Sequence, residues 1–447
     1  MRAVVPTTGE LVLVGGGHAQ VALLKSLAMK PVPGLRTTLI CPDVQTPYSG
    51  MLPGYVEGVW KAQDIHIDLA RLTQMAGARL IVTAATRLAV DDRLVHVETR
   101  PPVHFDILSV NVGGAPDLNA IQGAADHCIP VKPIGRFRSQ LAALTAREYP
   151  QQLAIIGGGA AGCELALALS KRWQDATGRR PEITIFARGA RLVPEMPARA
   201  ARLIFEALTR IGATVHCGRT VTIVEAGSLQ LQDGSRHEFG ACFLVTSVAA
   251  PQWIADSGLD LDEHGFLKVD RTLQSSSHPF VFAAGDIASI ADDKRPKSGV
   301  YAVRAGPVLA HNVRQHLHGR RLKRWSPQSK ALAIIGTADG KAIAVRGAHA
   351  SASRAWWWLK TWIDRRWMAK YKNLHMQPPP NWRPFAGISS KTAVADDPVF
   401  ESMRCLGCGA KTGHETLAAA MKDATAIAVK MGADPRLMPP EGLEDDS

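Results

Sequence analysis

Short apolar runs alternate with Ala/Leu-rich stretches over the first two thirds of the chain, and glycines mark the joins. The run Leu11 to Val14 reads as a buried strand, and Val21 to Met29 continues as a helix that Pro31 and Pro33 bring to an end. A second strand, Thr37 to Ile40, completes a β-α-β unit. The same order recurs at Leu153 to Ile156, Cys163 to Trp173 and Glu182 to Phe186, so the repeat is one of fold units and not a short-period solenoid. Between them, Phe105 to Val112 is a further apolar strand running into Gly113-Gly114, where the first unit hands over to the second. Later, Phe280 to Asp286 reads as a strand ending in Gly-Asp, and Lys297 to Gly306 as a loop leading into a helix. Residues 376–400, with Pro378, Pro379, Pro380 and Pro384, have linker composition.

A glycine-rich loop opens each repeated helix: Gly15-Gly16-Gly17-His18-Ala19-Gln20 and Gly157-Gly158-Gly159-Ala160-Ala161-Gly162. Glycine lets the backbone turn tightly and approach a pyrophosphate, whose charge then sits on N–H groups at a helix N-terminus. Two such loops in strand-loop-helix context predict two dinucleotide sites in one chain. Gln20 stands at the third glycine position of the first loop, so helix and strand are expected to approach less closely there, with small Ala19 and Ala22 compensating. A carboxylate roughly 20 residues past such a loop ordinarily accepts hydrogen bonds from the adenine ribose. Cys41 falls there after the first loop, with Asp43 as a substitute, and Ala187 after the second, followed by Arg188 and Arg191. Exchange of carboxylate for guanidinium tilts the second site from NADH towards NADPH.

The 447 residues suggest about three domains. No apolar run approaches the roughly 18 residues of a membrane span, and no secretory leader opens the chain, so cytoplasmic residence is expected. Cys41, Cys128, Cys163, Cys217 and Cys242 are scattered singly through apolar or strand-like surroundings, which excludes a secreted disulfide framework. The net charge is +12, and the 14 Lys and Arg against two Asp between Arg314 and Lys372 account for all of it. Such a local excess fits a docking surface better than a chain-wide nucleic-acid binder. Within it, Ala355 to Tyr371 has helical length and five tryptophans, with Trp358, Trp362 and Ile363 able to share a face. Three readings stay open: a packed helix with a solvated basic face, peripheral membrane contact, or docking of another domain.

The order of first glycine loop, second glycine loop and late Ala-Ala-Gly-Asp strand resembles the two-dinucleotide-binding-domain flavoproteins, which include type II NADH dehydrogenases and pyridine nucleotide-disulfide reductases. The resemblance implies an α/β fold with two Rossmann-like dinucleotide-binding domains and a C-terminal α+β appendage. It implies FAD at the first loop, NADH or NADPH at the second, and Asp286 bonding FAD. The cofactor-binding set is Gly15, Gly16, Gly17, His18, Ala19, Asp43, Gly113, Gly157, Gly159, Ala160, Gly162, Glu164, Arg188, Gly285 and Asp286. Disulfide reductases of this family carry a Cys-x4-Cys pair soon after the second strand; here Thr46-Pro47-Tyr48-Ser49-Gly50-Met51-Leu52-Pro53-Gly54 stands instead. Electrons are therefore expected to leave the flavin for an external small-molecule acceptor. Tyr48 and Ser49 either line that face or belong to an ordinary Pro/Gly turn.

The tail carries Arg404-Cys405-Leu406-Gly407-Cys408-Gly409-Ala410-Lys411. A lysine near a thiol favours thiolate and makes a nucleophile. As a zinc site the cysteine pair lacks a second ligand pair, with only His375 and His414 close in sequence, so no metal is assigned. The passage resembles the start of selenide, water dikinase, which implies catalytic roles for Cys408 and Lys411. Residues 441–446 resemble that family's magnesium-binding strand. With Tyr48 to Gly54 and Trp362 to Met368, the chain resembles bifunctional proteins in which an NADH-dehydrogenase-like flavoprotein precedes the dikinase. The sequence stops before most of an ATP-binding domain, so autonomous dikinase activity is not expected. The implied divisions are 8–150 and 256–315 for FAD, 151–255 for NAD(P), 316–375 for the basic Trp-rich region, 376–400 for the linker and 401–447 for the dikinase fragment. The implied activity is an FAD-dependent NAD(P)H oxidoreductase associated with selenophosphate synthesis. The alternatives are a peripheral membrane NAD(P)H:quinone oxidoreductase and a non-enzymatic redox-sensing module for a dikinase partner.

Overall fold

The computed structural model describes residues 7–246, 248–291, 297–328 and 331–372. Two five-stranded parallel sheets organise it. In the first, the order is Val281–Ala283, Ile107–Val110, Gly9–Val14, Leu35–Cys41 and Arg79–Val82. Its inner strands are buried on both faces: Leu11 and Leu13 pack with the helix that follows, and Val12, Val14 and Leu108 with Leu88, Val95 and Val103 of an antiparallel meander over residues 85–104. Helix α1 (His18–Met29) follows the first strand after the turn at Gly15, whose φ of 93° suits glycine. The second sheet runs Cys128–Pro130, Ala241–Leu244, Gln152–Ile156, Glu182–Ala187 and Thr214–Cys217. Helix α2 (Ala160–Thr177) follows its central strand. Cys128–Pro130 lies upstream of residue 151, and Phe137 and Leu141 of the next helix, Ile134–Arg147, are in this second core.

One segment differs from the sequence expectation. Helix α3 (Gly299–Leu317) takes up most of the stretch read as a loop before Gly306. Gly306 lies inside that helix, where a Cβ would stand 2.7 Å from Ala22 Cβ and 3.3 Å from Ala19 Cα. Its lack of a side chain therefore serves close helix packing and not a turn. Gln20 is buried at the start of α1, and its amide donates to Ser109 O at 2.6 Å and Val14 O at 3.3 Å.

The C-terminal part is an α+β element. Strands Ala333–Gly336, Ala342–Arg346 and His349–Ser353 form an antiparallel meander, and α4 (Arg354–Lys372) follows. Ile335, Ile343 and Val345 of the meander join the core around the second sheet, whereas Trp367 and Met368 of α4 join the core of the first. This region thus spans both nucleotide-type units.

Candidate functional site

The first loop is held by Asn111, at the end of the neighbouring strand. Its Oδ1 accepts from the N–H groups of Ala19 at 3.1 Å and Gln20 at 3.4 Å, and its Nδ2 donates to Ala284 O at 2.6 Å. Its backbone oxygen accepts from Gly17 N at 3.2 Å. A Cβ on Gly17 would collide with Asn111 Oδ1, and one on Gly285 with Asn111 Nδ2, so both glycines are sterically required. Gly15, Gly16, Gly17, Gly113 and Gly285 thus gather at the C-terminal ends of the first sheet's strands, the place where nucleotides bind in open parallel sheets. Sequence reading missed Asn111; its one signal was a polar residue at the end of an apolar strand.

Beside the loop, Asp286 pairs with Lys132 at 2.9 Å. His18 is buried, its Nδ1 has no hydrogen-bond partner among the described residues, and burial pushes its pKa down to about 4 although Asp286 pulls the other way. It is therefore neutral at physiological pH. Asp43 is exposed; its backbone N–H and that of Gly16 reach the Cys41 thiol, which ties the end of the second strand to the loop.

The segment that replaces a redox dithiol is packed and polar. Tyr48 stacks on Trp367 of α4 with ring centroids 4.2 Å apart, and His18 meets both rings. Lys360 of α4 donates to Gly50 O at 2.8 Å and pairs with Asp364 at 3.3 Å. Burial disfavours the Lys360 cation, but the charges of Glu164 and Asp364 outweigh it and raise its pKa. Tyr48 thus has a tertiary setting beyond a Pro/Gly turn, and Ser49 Oγ lies 3.0 Å from where a Cβ on Gly299 would be.

In the second loop, a Cβ on Gly157 would collide with Val245 O and one on Gly162 with Gly157 O. At Gly159, the N-cap of α2, it would meet nothing within 4 Å among the described residues, none of whose side chains caps the helix. Gly159 therefore opens onto space bounded by a helix N-terminus, which fits a pyrophosphate, while Ala160 packs against the core of the second sheet. Glu164, one turn into α2, accepts from Gly336 N at 2.7 Å; burial raises its pKa while Lys360 opposes the rise. Arg188 is exposed at the end of the strand Glu182–Ala187. Arg191 is a brace instead, donating to Pro194 O at 2.8 Å and Met196 O at 2.7 Å. Cys408 and Lys411, with the linker and the dikinase-like segment, lie outside the described residues.

The sequence profile of the pyridine nucleotide-disulphide oxidoreductase family matches residues 9–306. The NADH dehydrogenase-like protein YutJ of Bacillus subtilis is 22% identical over 342 residues, covering 74% of this chain and 91% of that protein. A type II NADH:quinone oxidoreductase of Haemophilus influenzae is 25% identical over 221 residues, 42% of this chain and only 50% of its own length. The solved sulfide:quinone oxidoreductase of Aquifex aeolicus shares the fold with a TM-score of 0.68 at 18% identity, covering 82% of this chain and 92% of that one. Profile, paired glycine loops and paired parallel sheets agree: the chain belongs to the pyridine nucleotide-disulphide oxidoreductase family, an oxidoreductase family whose cofactors are FAD and NAD(P)H.

Proposed function

We propose that this oxidoreductase passes hydride from NAD(P)H by way of FAD to an external small-molecule acceptor. The observation that carries this is the segment Tyr48 to Gly54, which has no cysteine and is sealed by Trp367 and Lys360 of α4. The one thiol pair in contact among the described residues, Cys128 and Cys242 at 3.5 Å, is buried in the second sheet. Bound flavin supplies hydride acceptance and onward electron delivery. The chain's residues bind and orient: the glycine loops receive pyrophosphates, and Asn111 holds the first loop against the end of the strand Val281–Ala283. His18 and Tyr48 present uncharged rings there, because burial holds the imidazole pKa low and the phenol pKa high.

Two acceptor classes divide the proposal. A selenium species, delivered near a dikinase active loop, is supported by the resemblance at Cys408 and Lys411. A lipid-soluble quinone is favoured by α4, where Trp358 and Trp362 are 72% and 56% exposed beside Arg365 and Arg366. Single-turnover spectroscopy tests the shared core: purified protein should carry FAD that NADPH or NADH bleaches. Protein without flavin, or flavin that neither nucleotide reduces, overturns it. Steady-state turnover with selenium compounds and with a quinone on liposomes then separates the two acceptors.

A further inference from the structure

We infer that the second nucleotide site is built for a 2′-phosphorylated dinucleotide, NADPH over NADH, with Arg188 as the principal ligand of that phosphate. The inference rests on the reading of the Gly157 to Gly162 loop as the nicotinamide-nucleotide loop. The strand Glu182–Ala187 pairs directly with Gln152–Ile156, so its end lies against the loop. Gly157 N donates to Phe186 O at 2.9 Å, and a Cβ on Gly158 would stand 2.5 Å from the Ala187 methyl. The residue beside the loop at the strand end, where a carboxylate would bridge the ribose hydroxyls, is therefore a methyl group that is 3% exposed. It accepts nothing from a free 2′-hydroxyl.

Cations stand around this point instead. Arg219 N donates to Ala187 O at 3.1 Å and Gly218 N to Gly189 O at 2.8 Å, which stitches residues 187–189 to the next strand's end. Val193 N donates to Gly158 O at 2.9 Å and folds the following segment over the glycine loop, with Arg191 as its internal brace. The Arg219 guanidinium is neutralised by Asp233. Among the described residues Arg188 has no carboxylate partner, and it is exposed where residues 187–189 leave the strand. A guanidinium offers a 2′-phosphate paired, charge-assisted hydrogen bonds, whereas a 2′-hydroxyl takes little from it.

Titration calorimetry of the flavin-loaded protein with 2′,5′-ADP and with 5′-AMP reads this contact without turnover. The 2′-phosphorylated compound should bind about tenfold or more tightly, the size of one charge-assisted contact. Arg188→Asp should erase the preference, and Arg188→Lys should keep part of it because the charge remains. Stopped-flow bleaching should favour NADPH over NADH in the same order. Equal binding of the two fragments, or an unchanged preference in Arg188→Asp, overturns the inference even if NADH bleaches the flavin normally. Bleaching by neither nucleotide overturns the oxidoreductase reading itself.

Discussion

Asn111 concentrates long-range order in one side chain. It joins the first loop, the start of α1 and the end of the strand Val281–Ala283, through partners 92 and 173 positions away in sequence. Asn111→Ala leaves Ala19 N, Gln20 N and Ala284 O without this partner in a buried place, so a loss of about 2–4 kcal/mol is expected. Chemical denaturation checks it; a change below about 0.5 kcal/mol, the size of a neutral surface substitution, would remove Asn111 from this role. Glu57 gives a pH signature. Burial pushes its carboxyl from 4.5 up to about 7, with Lys171 opposing and Glu164, Asp339 and Asp175 adding to the rise. Between those values the folded protein holds a proton that the unfolded chain has lost, so stability falls as pH rises through the window. Glu57→Gln should flatten that slope, by about 1–3 kcal/mol between its ends, in melts followed from pH 4.5 to 8. An identical slope in the variant would assign the effect elsewhere.

Helix α4 shows how one element distributes similar residues among different tasks. Trp356 donates to Ser351 Oγ at 2.9 Å, Trp367 stacks on Tyr48, and Trp358, Trp362 and Ile363 stay on the exposed face. The expected shared face exists, and the helix also packs on the first sheet's unit, as the packed-helix reading expects. Its end is tied down by Lys25 Nζ on Lys370 O at 2.8 Å and by Lys372 with Asp64 at 3.6 Å. Among the described residues no helix is long and apolar enough to cross a membrane. The exposed and buried tryptophans should therefore separate by experiment. Trp358→Ser with Trp362→Ser should change stability by less than about 0.5 kcal/mol per site yet reduce co-sedimentation with anionic vesicles. Trp367→Ala should cost about 3–5 kcal/mol, as expected for a buried aromatic. Wild-type protein that ignores vesicles would end the lipid-surface reading and leave the quinone proposal without its structural support.

Across the whole molecule, the C-terminal region joins what the two sheets keep apart: its meander rests on the second core and α4 on the first. Lys360 therefore meets Gly50, 310 residues earlier in the chain, within the field of Glu164 on α2. Nothing near Lys360 in sequence announces that contact, since an isolated lysine in a basic stretch reads as solvated surface. The glycine loops were legible because their demands are local: a tight turn, a close backbone approach and a helix start all act within a few residues. Gln20 marks the limit of that grammar, for spacing alone did not show that its amide donates to two strand-end carbonyls, nor that Gly306 of another helix packs on Ala19 and Ala22. The two β-α-β units, both loops and the basic tryptophan segment follow from residue type and short-range spacing, and the missing dithiol from comparison with the family it resembles. The partners of Asn111, His18, Tyr48 and Lys360 exist only once distant segments pack, because burial and electrostatic fields belong to the assembled core and not to any stretch of chain.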